Sequence, residues 1–285
     1  MFKSNYYKKN KNLFLFNCYL SSKYRSLKHD NYFHIYENLF EKYKNKKIVL
    51  VEIGVSNGGS LFMWRKFFGK KARIIGIDLN PTAKKWEKYG FEIFIGNQSN
   101  HTFWKFFFKT VGKTDIIIDD GGHSNNQMIN TFHCCYKNIN NGGLLIFEDT
   151  HASYLKEFGN PSNFSFINFC FSIVNKVNYN FFGKNFINNY QKFIYKIEFY
   201  QSVVAFYIDK NKSYKSNSID NKGIILNAED YRLKDKKIFL FLEKYKNFLK
   251  LNSSDKIYKS IKKIYPLIKY FLFKIDSKKI RFFFK

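Results

Sequence analysis

Short apolar runs, each closed by an acidic residue or a glycine, recur through the middle of this chain. Strands are predicted at 48–53, 73–77, 92–95, 115–118 and 144–147; the runs are continuous rather than alternating, the pattern of strands buried on both faces. Between them, residues 61–68, 102–110 and 128–138 carry apolar positions at helical spacing, the last ended by Asn140, Asn141 and Gly142. A further helix is predicted upstream at 32–43 (YFHIYENLFEKY). This alternation implies a largely parallel α/β sheet with helices on both faces. Beyond Asp149 the pattern changes. Residues 154–186 are crowded with aromatic side chains and hold no clean strand, which reads as a helical cover over the carboxyl edge of the sheet. Residues 194–199 and 203–208 follow as an antiparallel finish. The expected organisation is a basic leader with a cap helix over 1–45, a site-bearing domain over 46–210 with an aromatic lid at about 151–190, and a basic helical extension over 211–285.

Composition narrows the picture modestly. A chain of 285 residues buries one substantial core with appendages. No apolar run is long enough to span a membrane, and 13–20 is brief, interrupted by Asn17 and without a cleavage-site pattern, so a cytoplasmic protein is expected. Cys18, Cys134, Cys135 and Cys170 show neither metal-ligand spacing nor a disulfide framework. The formal charge of +27 rises together with Asn, Ile, Phe and Tyr throughout the chain, the signature of A- and T-rich codons. With no RNA-binding motif present, no specific nucleic acid partner is expected, and a noncatalytic nucleic-acid-binding protein stays an alternative. The tail from 255, ending KKIRFFFK, is a candidate for peripheral contact with an anionic bilayer, although Pro266 interrupts its helical pattern. A homo-oligomer is compatible with this composition.

Two segments carry the candidate chemistry. IIIDDGGH (116–123) and LLIFEDTH (144–151) each end an apolar run in carboxylates, as a buried parallel strand does when it delivers acids to the carboxyl edge of an open sheet. Oxygen ligands suit a hard divalent cation, and a histidine beside one can take a proton from a hydroxyl. The bland alternatives are helix caps or solvated turns for the acids and a structural turn role for His123. VEIGVSNGGS (51–60) places Gly54, Gly58 and Gly59 where backbone amides can approach a ligand. It fits neither the dinucleotide glycine spacing nor a P-loop. Asp78, at the next strand end, suits a ribose diol or, alternatively, caps the helix before Pro81. His151, Gln127 and Tyr154 are candidate acceptor-pocket residues.

From VEIGVSNGGSLFMW through IIGIDLNP, FIGNQSN, IIIDDGGH and GGLLIFEDTH to SVVAFYI, the chain resembles class I S-adenosylmethionine-dependent methyltransferases. The closer likeness is to the metal-dependent branch of sugar O-methyltransferases and cephalosporin hydroxylase-like proteins. The resemblance implies a Rossmann-like methyltransferase fold, a seven-stranded mostly parallel sheet with one antiparallel strand. It implies S-adenosylmethionine and Mg2+ (or Mn2+) as cofactors. Glu52, Gly54 and Ser60 would surround the amino acid portion of the cofactor, Asp78 the ribose, and Asn97 and Gln98 the adenine. Where the family commonly has aspartate, this chain has Asn97. Asp120, Glu148 and Asp149 would hold the metal and His123 would be the base, while Asp119 either faces the cofactor or orients His123. The implied acceptor is a hydroxyl on a saccharide of a glycolipid, polysaccharide precursor or glycosylated natural product, the alternative being a phenolic small molecule.

Overall fold

In the computed structural model, which describes residues 8–178, 189–214, 217–224, 236–252 and 255–281, the apolar runs form one seven-stranded sheet. Its strands are β1 (Val49–Ile53), β2 (Arg73–Asp78), β3 (Glu92–Ile95), β4 (Thr114–Asp119), β5 (Ile139–Phe147), β6 (Ile194–Tyr200) and β7 (Val203–Ile208), in the order β3-β2-β1-β4-β5-β7-β6. The first five run parallel, and β7 runs against both β5 and β6. The expected mostly parallel sheet with an antiparallel finish is therefore what forms.

Helices α1 (Phe14–Leu20), α2 (Tyr32–Phe40) and α3 (Gly59–Phe68) cover one face, and α4 (His101–Val111), α5 (Asn125–Cys135) and α6 (Phe166–Asn178) cover the other. Strand side chains alternate between faces. Even-numbered Leu50, Ile116, Ile118, Leu144 and Ile146 pack with Phe16, Phe40 and Trp64. Odd-numbered Val51, Ile117, Leu145 and Phe147 pack with Trp104, Phe107 and Phe132. Each large side chain fully removed from water here contributes about 1.5–3 kcal/mol, which is why both faces must be covered.

Three features depart from the sequence pattern. The segment expected to be only a basic leader contains α1, whose Leu15, Phe16 and Cys18 are buried in the core. Strand β5 starts at Ile139, so Asn140, Asn141 and Gly142, expected to lie in a loop ending a helix, are inside the strand. Pairing of Ile139 with Thr114, followed by a register shift, outweighs their turn preference. Third, the helix over Asp255–Lys279 continues through Pro266.

The chain divides into two units, Met1–Ser218 and Ile219–Lys285. The second contains α7 (Lys237–Asn252) and α8 (Asp255–Lys279), with the Lys269 ammonium 5.5 Å from the Phe239 ring. Pro266 removes one ladder hydrogen bond from this 25-residue helix, at a cost of about 3 kcal/mol, without ending it. Among the described residues no helix is long and apolar enough to cross a membrane. All four cysteines are free. The lid residues 179–188, the tail end 282–285 and leader residues 1–7 lie outside the described residues.

Candidate active site

Register across the three central strands sets the level of the site. Ile53 pairs with Asp119, and Asp119 with Phe147, so the residues that follow, Gly54, Asp120 and Glu148, stand side by side at the carboxyl edge. The ladder persists one step further: Asp120 N donates to Ile53 O at 3.0 Å and Glu148 N to Asp119 O at 2.9 Å. Alternation then sorts the acids. Glu52, Asp120 and Glu148 share the even-numbered face, whereas Asp119 points to the opposite one.

A lysine from the leader joins the three even-numbered carboxylates. Lys28 Nζ lies 2.6 Å from Asp120 Oδ2, 2.7 and 2.8 Å from the Glu148 oxygens and 4.0 Å from Glu52 Oε1. Its side chain is 2% exposed. Burial opposes its charge, but Asp120, Glu148 and Glu52 together hold the ammonium well above the ordinary lysine range. Glu148 also accepts from the buried Tyr36 hydroxyl. Glu52 is sealed beneath, accepting from Ser60 Oγ at 2.6 Å and Trp64 Nε1 at 2.9 Å, and burial raises its carboxyl.

Asp149 leaves the strand in the left-handed region, at φ 52°, which turns its carboxylate back over the edge. Tyr32, one helical turn before Tyr36, donates to Asp149 Oδ1 at 2.5 Å; burial, then this bond, keeps its phenol protonated by holding it above its ordinary range. His123 is also left-handed, at φ 55°, after the Gly121–Gly122 turn and just before the Ser124–Gln127 capping box of α5. Its Nε2 stands 3.5 Å from Asp149 Oδ2 and 3.8 Å from Asp120 Oδ1. Both distances exceed an ordinary hydrogen bond, so neither acid holds Nε2. Its Nδ1 is buried and has no partner among the described residues.

Asp120, His123 and Asp149 present ligand atoms within 4.8 Å of one another. The two carboxylates at that spacing fit a divalent cation, with the imidazole standing beside it. Glu148, expected as a ligand too, accepts from Lys28 and Tyr36.

Beside this cluster lies a cavity of about 680 Å³, of a size that suits a nucleoside-bearing ligand. Gly54, Ser60, Asp78 and Gln98 line it, together with Arg25–Leu27 of the leader. Asp78 Oδ2 accepts from Val55 N and Ser56 N at 2.9 and 3.0 Å, which fixes the glycine turn, and Asn80 rather than Asp78 caps the following helical turn. Gln98 is a buried strut: its Nε2 donates to both Asp119 oxygens at 3.0 and 2.9 Å, and its Oε1 accepts from Gly122 N at 3.2 Å. Asp119 thus neither faces the cavity nor touches His123; it braces the turn that carries Asp120 and His123. Asn97 is exposed and accepts from Ser99 N at 2.8 Å. A second cavity of about 550 Å³ is lined by His29, His151, Tyr154, Phe171 and Phe199, and Gln127 lines the first cavity instead.

Residues 51–150 match a family described as a methyltransferase domain. That stretch is similar to methyltransferase domains. Demethylmacrocin O-methyltransferase of Streptomyces fradiae is 30% identical over 135 residues, covering 45% of this chain and 34% of that protein. An 8-demethyl-8-alpha-L-rhamnosyl tetracenomycin-C 2'-O-methyltransferase of Streptomyces olivaceus is 29% identical over 130 residues, covering 43% and 34%. The chain thus spans about a third of the length of these relatives. MycE methyltransferase from the mycinamycin biosynthetic pathway, solved with Mg and SAH, superposes with a TM-score of 0.63 at 22% identity, over 78% of this chain and 58% of that one. The fold is the Rossmann-like one expected.

Lys28, Tyr32, Tyr36 and the Arg25–Leu27 wall were not singled out by the sequence. Tyr32 and Tyr36 carry a weak signal, since tyrosines four apart on the apolar stripe of a helix bring two hydroxyls to one side. Lys28 carries none, being one lysine in a basic segment.

Proposed function

We propose that this chain is an S-adenosylmethionine-dependent, divalent-cation-assisted O-methyltransferase whose acceptor hydroxyl belongs to a saccharide. The observation that carries the reading is the meeting, at one sheet edge, of the glycine-turn cavity holding Asp78 with the Asp120–His123–Asp149 cluster. The saccharide acceptor is supported by the rhamnosyl substrate in the name of one relative, and the second cavity, with exposed Tyr154, Phe171 and Phe199, offers aromatic faces for a sugar.

When bound, the cofactor supplies an electrophilic methyl group and the cation, held by Asp120 and Asp149, polarises the acceptor hydroxyl. The chain's own residues align and deprotonate. Asp78 accepts from the ribose hydroxyls while its other bonds hold the turn, and Gly54 leaves the approach to the cavity open. His123 takes the hydroxyl proton on Nε2, the nitrogen facing the carboxylates. Asp149, oriented by Tyr32, is suited to stabilise the imidazolium that results.

The reading is tested by calorimetric titration with S-adenosylmethionine, with and without MgCl2 and with NAD as control. Saturable binding of S-adenosylmethionine, weakened at least about tenfold by Asp78→Ala through loss of charge-assisted hydrogen bonds, is expected. Absence of binding under both metal conditions overturns it. His123→Ala is expected to lower the single-turnover methyl transfer rate by about 10²–10⁴-fold with little change in cofactor affinity. An unimpaired rate removes it as the base.

A further inference from the structure

The least expected feature of the site is that one of its metal-competent carboxylates already holds a cation. Asp120 is shared: Oδ2 takes Lys28 Nζ at 2.6 Å, and Oδ1 faces His123. Lys28 is built in rather than adventitious. It reaches across from a segment fixed by Ser22 Oγ donating to Gly59 O at 2.9 Å and by the Tyr24–Tyr89 hydroxyl pair. It lies 92 residues in sequence from Asp120 and 120 from Glu148.

We propose that Lys28 is a tethered counter-cation that neutralises Glu148 and Glu52 and competes with a divalent metal for Asp120, so that the site stays folded without metal and takes metal up only against the ammonium. This inference rests on the reading that the site binds a divalent cation. Glu52 and Glu148 are 0% and 1% exposed, and carboxyls that deeply buried stay ionised only beside a compensating charge. The ammonium supplies it. A second cation drawn to Asp120 then meets a like charge across one carboxylate in a low-dielectric surrounding, where repulsion is strong. The four-carbon stem of lysine allows the ammonium to yield without moving the backbone, a freedom a metal ligand set lacks.

The test is direct metal binding by wild type and Lys28→Met, followed by calorimetric titration with MnCl2 and by thermal unfolding in EDTA or MnCl2. The substitution is expected to lower the melting temperature in EDTA, to enlarge the stabilisation by MnCl2 and to tighten Mn2+ binding on the order of tenfold or more. A gain in metal affinity is not an outcome that mere structural damage produces. Should Lys28→Met fail to fold, the same comparison is made in a Glu148→Gln background, where one buried charge fewer needs compensation, and the same direction of change is expected. Equal or weaker binding by the lysine-free variant overturns the proposal and leaves the metal reading standing. Absence of Mn2+ binding by both proteins overturns the two together.

Discussion

Replacing Asp120 with alanine is expected to lower methyl transfer on the order of a thousandfold or more, the several kcal/mol that cation-assisted activation of a hydroxyl is worth. Two functions meet on this carboxylate, one toward Lys28 and one toward the His123–Asp149 pair. The fold should survive, because Lys28 retains Glu148 and Glu52, and Asp120 is itself 22% exposed. Cofactor affinity should change little, since Asp78 and the glycine turn are untouched. The measurement is single-turnover transfer to a saccharide acceptor alongside calorimetric cofactor binding. Turnover within about fivefold of wild type, about 1 kcal/mol or less, would defeat the assignment.

The second large effect is expected from Gly54→Ala, a change of one methyl group. Gly54 has φ +90°, and a Cβ there would lie 2.0 Å from the Asp120 carbonyl oxygen and 3.2 Å from Gly121 Cα. Both neighbours are backbone, so no rotamer change relieves the clash. Either β1 separates from β4 or the turn bearing Asp120 and His123 shifts. Gly90→Ala is the control, with φ +80° and nothing within 4 Å of the added atom. That control should cost only the left-handed conformational penalty, about 1–2 kcal/mol. Gly54→Ala should lower the melting temperature well beyond the control and abolish measurable cofactor binding. Equal melting temperatures would show that the strand ends are not packed as described.

Local pattern carried much of the fold and less of the site. Buried parallel strands need apolar side chains on both faces, so β1 to β4 were legible within a residue or two, as was the meeting of their acidic ends. The failures lie where local preference is overruled by a distant partner. Asn140–Gly142 read as a loop, yet pairing next to Thr114 drew them into β5. Gln98 lines the cavity as expected of a cofactor contact, but its bonds to Asp119 and Gly122 show in no local pattern.

By itself, the sequence determined the strand order's raw material, the glycine turn after β1 and the presence of Asp120, His123, Glu148 and Asp149 at the carboxyl edge. These are properties of short segments, fixed by periodicity of two or 3.6 residues and by glycine's backbone freedom. Only the tertiary structure decided which acid faces which way and what neutralises them. Side-chain alternation turned Asp119 away from Asp120, and the approach of the leader brought Lys28, Tyr32 and Tyr36 onto Asp120, Glu148 and Asp149 from 92 to 120 residues away. Coulomb and hydrogen-bond energies depend on distance in space and on burial, and a lysine among 49 basic residues shows neither until the chain is folded.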